Sequence, residues 1–345
     1  MKNIVINKKK IGLKFKPFVI VEACVNHQGN FSLAKKMILY SKKVGADCIK
    51  FQHHIVSEEM LEKDIPKSSN FTKPLSQVIE ETNFTLNQHL SLKKFCEKIG
   101  IQYLCTPFSI KAAKELNSIK VGAFKTGSGE LTNYPFIDYI AKLGKPMIVS
   151  TGMSNPEEIH ETVKIIKKYK TPLALTHCVS AYPCPYDIMN LDYINELSKK
   201  YTTPIGLSDH TPTIYNALGA VSLGASIIEK HFTFNKKLKG PDHKSSIDKL
   251  ELIDLIKGVN ANFLARGNNK TIHNQEKEII NWARESVVSI KDISKNEKLS
   301  KKNISTKRPT PKKNQIPANK FFIVLGKKAK KNISANTIIK FRDIK

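Results

Sequence analysis

From Phe18 to Leu264 the chain alternates between two hydrophobic rhythms: short apolar, β-prone runs, each followed by a segment whose apolar residues recur at helical spacing. The first pairs are FVIVEA (18–23) with a helix over 31–44, ADCIKFQ (46–52) with a long segment reaching Ile99, IQYLCTPF (101–108) with 111–116, and GAFKTGS (122–128) with 134–143. Four more follow: PMIVSTG (146–152) with 157–169, PLALTHCVS (172–180) with 191–201, PIGLSDH (204–210) with 215–223, and SIIEKHF (226–232) with 248–264. Eight strand-plus-helix units in roughly 250 residues match the size of a (β/α)₈ TIM barrel. An open doubly wound sheet is the competing arrangement, but no glycine-rich dinucleotide fingerprint follows the first strand.

The flanks break this rhythm. Residues 1–17 hold two short apolar runs around Lys8, Lys9 and Lys10, which predicts a hairpin ahead of the barrel domain (18–265). The stretch RGNNKTIHNQEKEIINWARE (266–285) is hydrophilic and reads as a linker with room for one helix. Over 286–345 a short apolar run, a polar turn and an isoleucine repeat, which marks a second domain too small to do much chemistry alone.

The strand runs end in polar residues. In order they carry Glu22 with Asn26 and His27; Lys50 and Gln52; Thr106; Lys125 and Ser128; Ser150; His177 and Ser180; Ser208 and His210; Glu229 and His231. In a barrel these ends converge on one rim, where active sites of the fold are built. His210 and His231 end adjacent strands, with Asp209, Glu229 and Asp242 nearby, a pairing of imidazole and carboxylate suited to a divalent metal. Lys50 and Lys125 sit on strands, where a charge directed into the barrel needs an anionic partner. With the hydroxyls of Thr106, Ser128, Ser150 and Ser208 they are equipped for a phosphate-bearing anion. His53 and His54 are adjacent at a strand end, so their side chains diverge, and they are expected at the surface.

The formal net charge of +27 would suit nucleic acid, an anionic membrane or an anionic substrate. Its lysines, however, are spread over nearly every helix and loop without stacking aromatics or zinc-finger spacing, so the excess reads as solvated surface with neither nucleic acid nor membrane as partner. Six cysteines form no C-x-x-C pair and read as reduced core or rim residues. Lysines interrupt the N-terminal apolar stretch and no run approaches membrane-spanning length, so a cytoplasmic location is expected.

The stretches VEACVNHQGNFSLAKKMI, GADCIKFQ, CTPFS, FKTGSGELTNYPFI, VSTGM, HCVSAYPCP, GLSDHT, EKHFT and GPDHKSS, followed by SVVSIKDISKNEKLS and KRP, resemble the N-acetylneuraminate (sialic acid) synthase family, which includes legionaminate and related nonulosonate synthases. The resemblance covers essentially the whole chain. It implies a TIM barrel followed by an antifreeze-like (SAF) domain, and a domain-swapped homodimer. It implies condensation of phosphoenolpyruvate with an open-chain N-acylated hexosamine, with release of phosphate, in the presence of Mn²⁺, with Mg²⁺ or Co²⁺ as alternatives.

By the same resemblance His210 and His231 are metal ligands, and Lys50, Thr106, Lys125, Ser128, Ser150, Ser180 and Ser208 are phosphoenolpyruvate contacts. Gln52, Tyr182, Asp242 and Arg308 are sugar contacts, with Arg308 reaching across the dimer toward the acyl group. Glu22 and Glu130 are the candidates for proton transfer. Two departures stand out: Ser180 occupies a position where Asn is expected, and PTPKKNQIP replaces a Gly-containing stretch after Arg308. The absence of an extra Arg cluster favours an unphosphorylated sugar, N-acetylmannosamine or its 2,4-diacetamido analogue. A metal-dependent aldolase or another phosphoenolpyruvate-condensing synthase keeps the barrel but does not predict the tail. A glycan- or nucleic-acid-binding protein predicts salt-sensitive polyanion binding and no turnover.

Overall fold

The computed structural model describes residues 3–61 and 73–345. It divides into two compact units, 1–267 and 268–345. In the first, strands β1 (Ile4–Ile6) and β2 (Lys9–Ile11) form the antiparallel hairpin. Eight strands follow: β3 (Phe18–Glu22), β4 (Cys48–His53), β5 (Gln102–Pro107), β6 (Phe124–Thr126), β7 (Met147–Ser150), β8 (Leu173–Cys178), β9 (Ile205–Asp209) and β10 (Ile227–His231). They make one parallel sheet in the order β5-β4-β3-β10-β9-β8-β7-β6, and β5 and β6 lie side by side, so the barrel is nearly closed. Of the long segment between β4 and Ile99, residues 62–72 lie outside the described residues; the rest includes the helices Leu75–Thr82 and Leu86–Ile99.

Local sequence sets the helix ends. Thr85 and Gln88 form a capping box on Leu86–Ile99, and Asn155 with Glu158 does the same for Pro156–Lys168. The helices Phe31–Val44 and Leu86–Ile99 stop at Gly45 and Gly100, whose φ of +90° and +74° is the left-handed conformation glycine adopts without steric cost.

Strand alternation then sorts side chains into layers. The residues packing against the surrounding helices include Val19, Val21, Ile49, Phe51, Val149, Leu207 and Ile228. The other register points inward: Phe18, Ile20, Cys48, Leu104, Ala123, Ile148, Ala174 and Ile227 fill the lower barrel, and Ile4, Ile6 and Ile11 of the hairpin join the same cluster. One or two steps further along each strand the inward positions are polar. The barrel is thus apolar at its base and charged at its mouth.

This alternation corrects one expectation. Asp209 follows inward-facing Ser208, so it leaves the histidines and pairs with Lys230 at 3.0 Å on the outer face. Gly206, in the inward register, has no room for a side chain: a Cβ there would stand 2.6 Å from both Cβ and O of Ile227. Gly206→Ala is expected to cost about 1–3 kcal/mol through overpacking, read as a lower urea midpoint at unchanged slope.

The second unit contains the helix Lys277–Ala283, which lies in the stretch read as a linker, and strands β11 (Ser286–Ser289) and β12 (Ile304–Lys307), paired antiparallel. Its core includes Val287, Ile293, Leu299, Ile304, Ile316, Ile333 and Ile339. The repeat seen in sequence has a structural counterpart. Ile293 and Ile333 bridge one another, and each is followed by a turn holding an asparagine at positive φ, Asn296 (+69°) and Asn336 (+56°).

Candidate active site

The mouth of the barrel encloses a cavity of about 820 Å³. It gathers fourteen of the fifteen candidate site residues: Glu22, Lys50, Gln52, Thr106, Lys125, Ser128, Glu130, Ser150, Ser180, Tyr182, Ser208, His210, His231 and Asp242 all line it. Arg308 lies in the second unit, where its guanidinium stands 5.2 Å from the Trp282 ring centre.

At the floor, two lysines and two glutamates are buried together. Lys50 is ion-paired with Glu22 and lies 3.6 Å from Glu229, and Lys125 lies 3.8 Å from the same Glu229 oxygen. Lys50 donates to Thr106 at 3.1 Å, Lys125 donates to Ser150 and to the Thr126 carbonyl, and Ser208 donates to Glu229 at 3.0 Å. Burial works against the charge of Lys50, but Glu22 and Glu229 outweigh it and hold the amine above the ordinary lysine value. Burial lowers Lys125 and raises Glu22, whereas the two lysines overcome burial at Glu229 and lower it. The charges balance only locally, and each amine retains donor capacity toward the cavity.

Beside this floor, Ser128 and Ser180 converge on Gly152, where a Cβ would stand 2.6 and 2.4 Å from their hydroxyl oxygens. The Ser180 hydroxyl has no hydrogen-bond partner among the described residues. Glu130 is a second orphan: its Oε2 is buried without a partner, and burial above all pushes its carboxyl up to about 7.

Opposite the lysines, the His210 and His231 rings lie 5.3 Å apart, with Tyr182 4.1 Å from His210. His210 Nδ1 donates to the Val179 carbonyl at 2.8 Å, which fixes its proton there and leaves Nε2 as a free acceptor. His231 Nδ1 is buried without a hydrogen-bond partner, 4.0 Å from Asp242. Burial and the neighbouring His210 hold His231 well below the ordinary histidine value, so it is neutral and keeps a lone pair. One ligand atom each from Cys24, His231 and Asp242 lie within 4.8 Å of one another. An orphaned imidazole nitrogen facing a carboxylate fits a divalent ion.

Several expectations need correction. His53 and His54 are buried rather than at the surface: His53 donates to Glu115 at 2.7 Å, and His54 donates to Glu59 at 2.8 Å while stacking on Phe108 at 4.0 Å. Their rings do diverge, and His54 reaches the cavity, where its Nε2 meets the Gln52 amide at 3.2 Å. Asn26 and His27 do not join the rim. Asn26 ties the β3 end to the Phe232 carbonyl and Ser246, and His27 stacks on Phe84 at 4.3 Å. His177 donates to the Met189 carbonyl and lines a neighbouring cleft. Cys24 and Cys178, read as reduced core or rim residues, and Thr176, passed over, stand at the site; for Thr176 and Cys178 the inward place in the alternation of β8 was the available signal.

A (β/α)₈ barrel with paired lysines and a metal-competent histidine cluster at the C-terminal ends of its strands has the architecture of a barrel enzyme, with a cavity whose cations suit an anionic small molecule. The chain belongs to the NeuB family, whose members are phosphoenolpyruvate-condensing transferases of the N-acetylneuraminate synthase type; the NeuB family matches residues 37–271 and the SAF domain residues 284–345. It is 37% identical to an N,N'-diacetyllegionaminic acid synthase of Campylobacter jejuni over 94% of this chain and 99% of that one. An uncharacterized protein of Methanocaldococcus jannaschii is also 37% identical, over 100% and 99% of the two chains. Among solved structures, an N-acetylneuraminic acid (sialic acid) synthetase of Leptospira borgpetersenii, crystallised with citrate, matches with a TM-score of 0.73 at 33% identity, over 81% of this chain and 95% of that one. Among the described residues no helix is long and apolar enough to cross a membrane.

Proposed function

We propose that this protein condenses phosphoenolpyruvate with an open-chain N-acetylated hexosamine and water, releasing phosphate and forming a nonulosonate. The observation that carries this reading is the placing of Lys50 and Lys125, with their hydroxyl partners, across one cavity from His231 and Asp242. The first group suits a phosphorylated carboxylate and the second a carbonyl held by a divalent ion.

In this reading Lys50 and Lys125 take the carboxylate and phosphate of phosphoenolpyruvate, aided by Thr106, Ser128, Ser150, Ser180 and Ser208. The incoming anion offsets the cost of burying two ammonium groups. His231, Asp242 and His210 would hold the ion, Mn²⁺ or a related cation, which would supply Lewis acidity at this end of the cavity. Gln52 and Tyr182 orient the sugar. C3 of phosphoenolpyruvate attacks the aldehyde carbon, a C–C bond forms, water adds at C2, and the C2–O bond to phosphate breaks. Glu22, paired with Lys50, faces the positive charge developing at C2. Glu130 gives the new alkoxide its proton. Arg308 contacts the acyl group within a homodimer, as the family resemblance implies.

The outer cavity favours the 2,4-diacetamido-2,4,6-trideoxy sugar. Leu75, Val78, Ile79, Phe108, Ile110 and Met153 line it, and Glu58 and Glu59 stand among them, with no arginine among the described residues that line it. Such a wall suits methyl and acetamido groups and disfavours a sugar phosphate. Phosphate release from phosphoenolpyruvate, measured with Mn²⁺ and either this sugar or N-acetylmannosamine, tests the proposal. Turnover with the diacetamido sugar is expected; no phosphate with either sugar from folded, metal-loaded protein would overturn it.

Glu130 makes the reaction pH-dependent with a defined sign. A carboxyl poised at about 7 donates a proton below that value and not above it. kcat/KM is expected to fall as pH rises through about 7, and Glu130→Gln to remove that limb while lowering kcat roughly 10²–10⁴-fold. A limb that persists in the variant would transfer the proton to another group.

A further inference from the structure

The least expected member of the histidine cluster is a thiol. Cys24 stands just beyond the end of β3, at a positive φ of +40°, with its amide donating to Glu22 Oε1 at 2.6 Å. It is 7% exposed, and its sulfur shares the 4.8 Å cluster with His231 and Asp242, themselves 5% and 7% exposed. A cysteine near a carboxylate is by itself unremarkable. What points to a ligand here is the third member, His231 Nδ1, which is buried and has no hydrogen-bond partner among the described residues.

We propose that Cys24 completes the metal centre as a thiolate beside His231 and Asp242, so that this protein selects an ion of the borderline-soft class, Fe²⁺, Co²⁺ or Zn²⁺, over Mg²⁺. The S–H bond breaks and a sulfur–metal bond forms, with the proton leaving to solvent by way of Asp242. A thiolate, an imidazole and a carboxylate form the mixed S, N, O set that intermediate cations favour and that strongly hydrated Mg²⁺ does not. Cys178, the other thiol facing this cavity, is placed differently. It lies 3.8 Å from His210 Nδ1, the nitrogen already committed to the Val179 carbonyl, and outside the three-residue cluster.

The inference builds on the reading of this cavity as a synthase site, but its test is optical, so its failure and that of the function are distinguishable. Co²⁺ is titrated into metal-free full-length protein. The wild type and Cys178→Ser are expected to show a sulfur-to-cobalt charge-transfer band in the near ultraviolet. Cys24→Ser is expected to lose the band and to bind Co²⁺ at least about tenfold more weakly, while its Mg²⁺ affinity stays within about twofold of wild type. Should Cys24→Ser not fold, X-ray absorption on the zinc-loaded wild type decides: a sulfur neighbour at about 2.3 Å supports the thiolate. A nitrogen- and oxygen-only shell, a band-free cobalt complex of the wild type, or a band retained in Cys24→Ser would overturn the proposal.

Discussion

Replacing Lys50 with Met will destabilise the protein by about 3–5 kcal/mol at neutral pH, the usual cost of removing one partner of a buried ion pair. Lys50 is 3% exposed and holds Glu22, Glu229 and Thr106. Without it Glu22 and Glu229 remain buried together, with Lys125, 3.8 Å from Glu229, as the neighbouring cation. The wild-type lysine's own contribution should be insensitive to pH over the neutral range. Lys50 is held above the ordinary lysine value, so its contribution is complete below about 10.4 and fades only as pH rises further.

The variant behaves differently. Burial and Glu229 already raise Glu22, and loss of the lysine raises it further. A carboxyl whose folded value exceeds its unfolded one binds more protons when folded, so the variant loses stability as pH rises above about 4.3. Urea unfolding at pH 5 and pH 7.5 measures this: the deficit against wild type should be larger at pH 7.5. An equal deficit at both values would show that no buried carboxylate had been stranded.

His231→Ala should have the opposite profile, with catalysis lost and the metal-free fold retained. The Nδ1 atom makes no hydrogen bond, so the imidazole contributes little to metal-free stability beyond packing. A bound ion contributes several kcal/mol of charge stabilisation in the transition state, so kcat should fall by roughly 10³-fold or more. Ion-dependent stabilisation gives a second reading. An ion at a hundred times its Kd stabilises the wild type by about 2.7 kcal/mol, raising Tm, and this rise should vanish in the variant. An equal rise in both proteins would place the ion elsewhere. Because His231 is held well below the ordinary histidine value, it should add no limb of its own to the pH profile.

Much of this site was legible along the chain. Polar residues at the ends of apolar strand runs have few explanations, and a barrel rim accounts for eight of them together. Period-two alternation separates Glu229 and His231, which face the cavity, from Lys230, which turns outward to Asp209. The same rule applied to β9 would have excluded Asp209. What it does not reach is the loops. Asn26 and His27 follow β3 closely in sequence but pack against Phe232 and Phe84, contributed by other βα segments. His53 and His54 looked like surface residues because their partners, Glu115 and Glu59, come from other elements.

By itself the sequence determined the eight strand–helix units, the apolar base and polar mouth of the barrel, and fourteen of the side chains that line the cavity. Backbone periodicity and the preference of apolar groups for burial act locally and leave their record in residue order. Only the tertiary structure decided which groups meet: that both lysines share Glu229, that Glu130 is buried enough to titrate at about 7, and that Cys24 stands with His231 and Asp242. Electrostatic shifts and ligand geometry depend on distances between residues far apart in the chain, and closure of the barrel sets those distances.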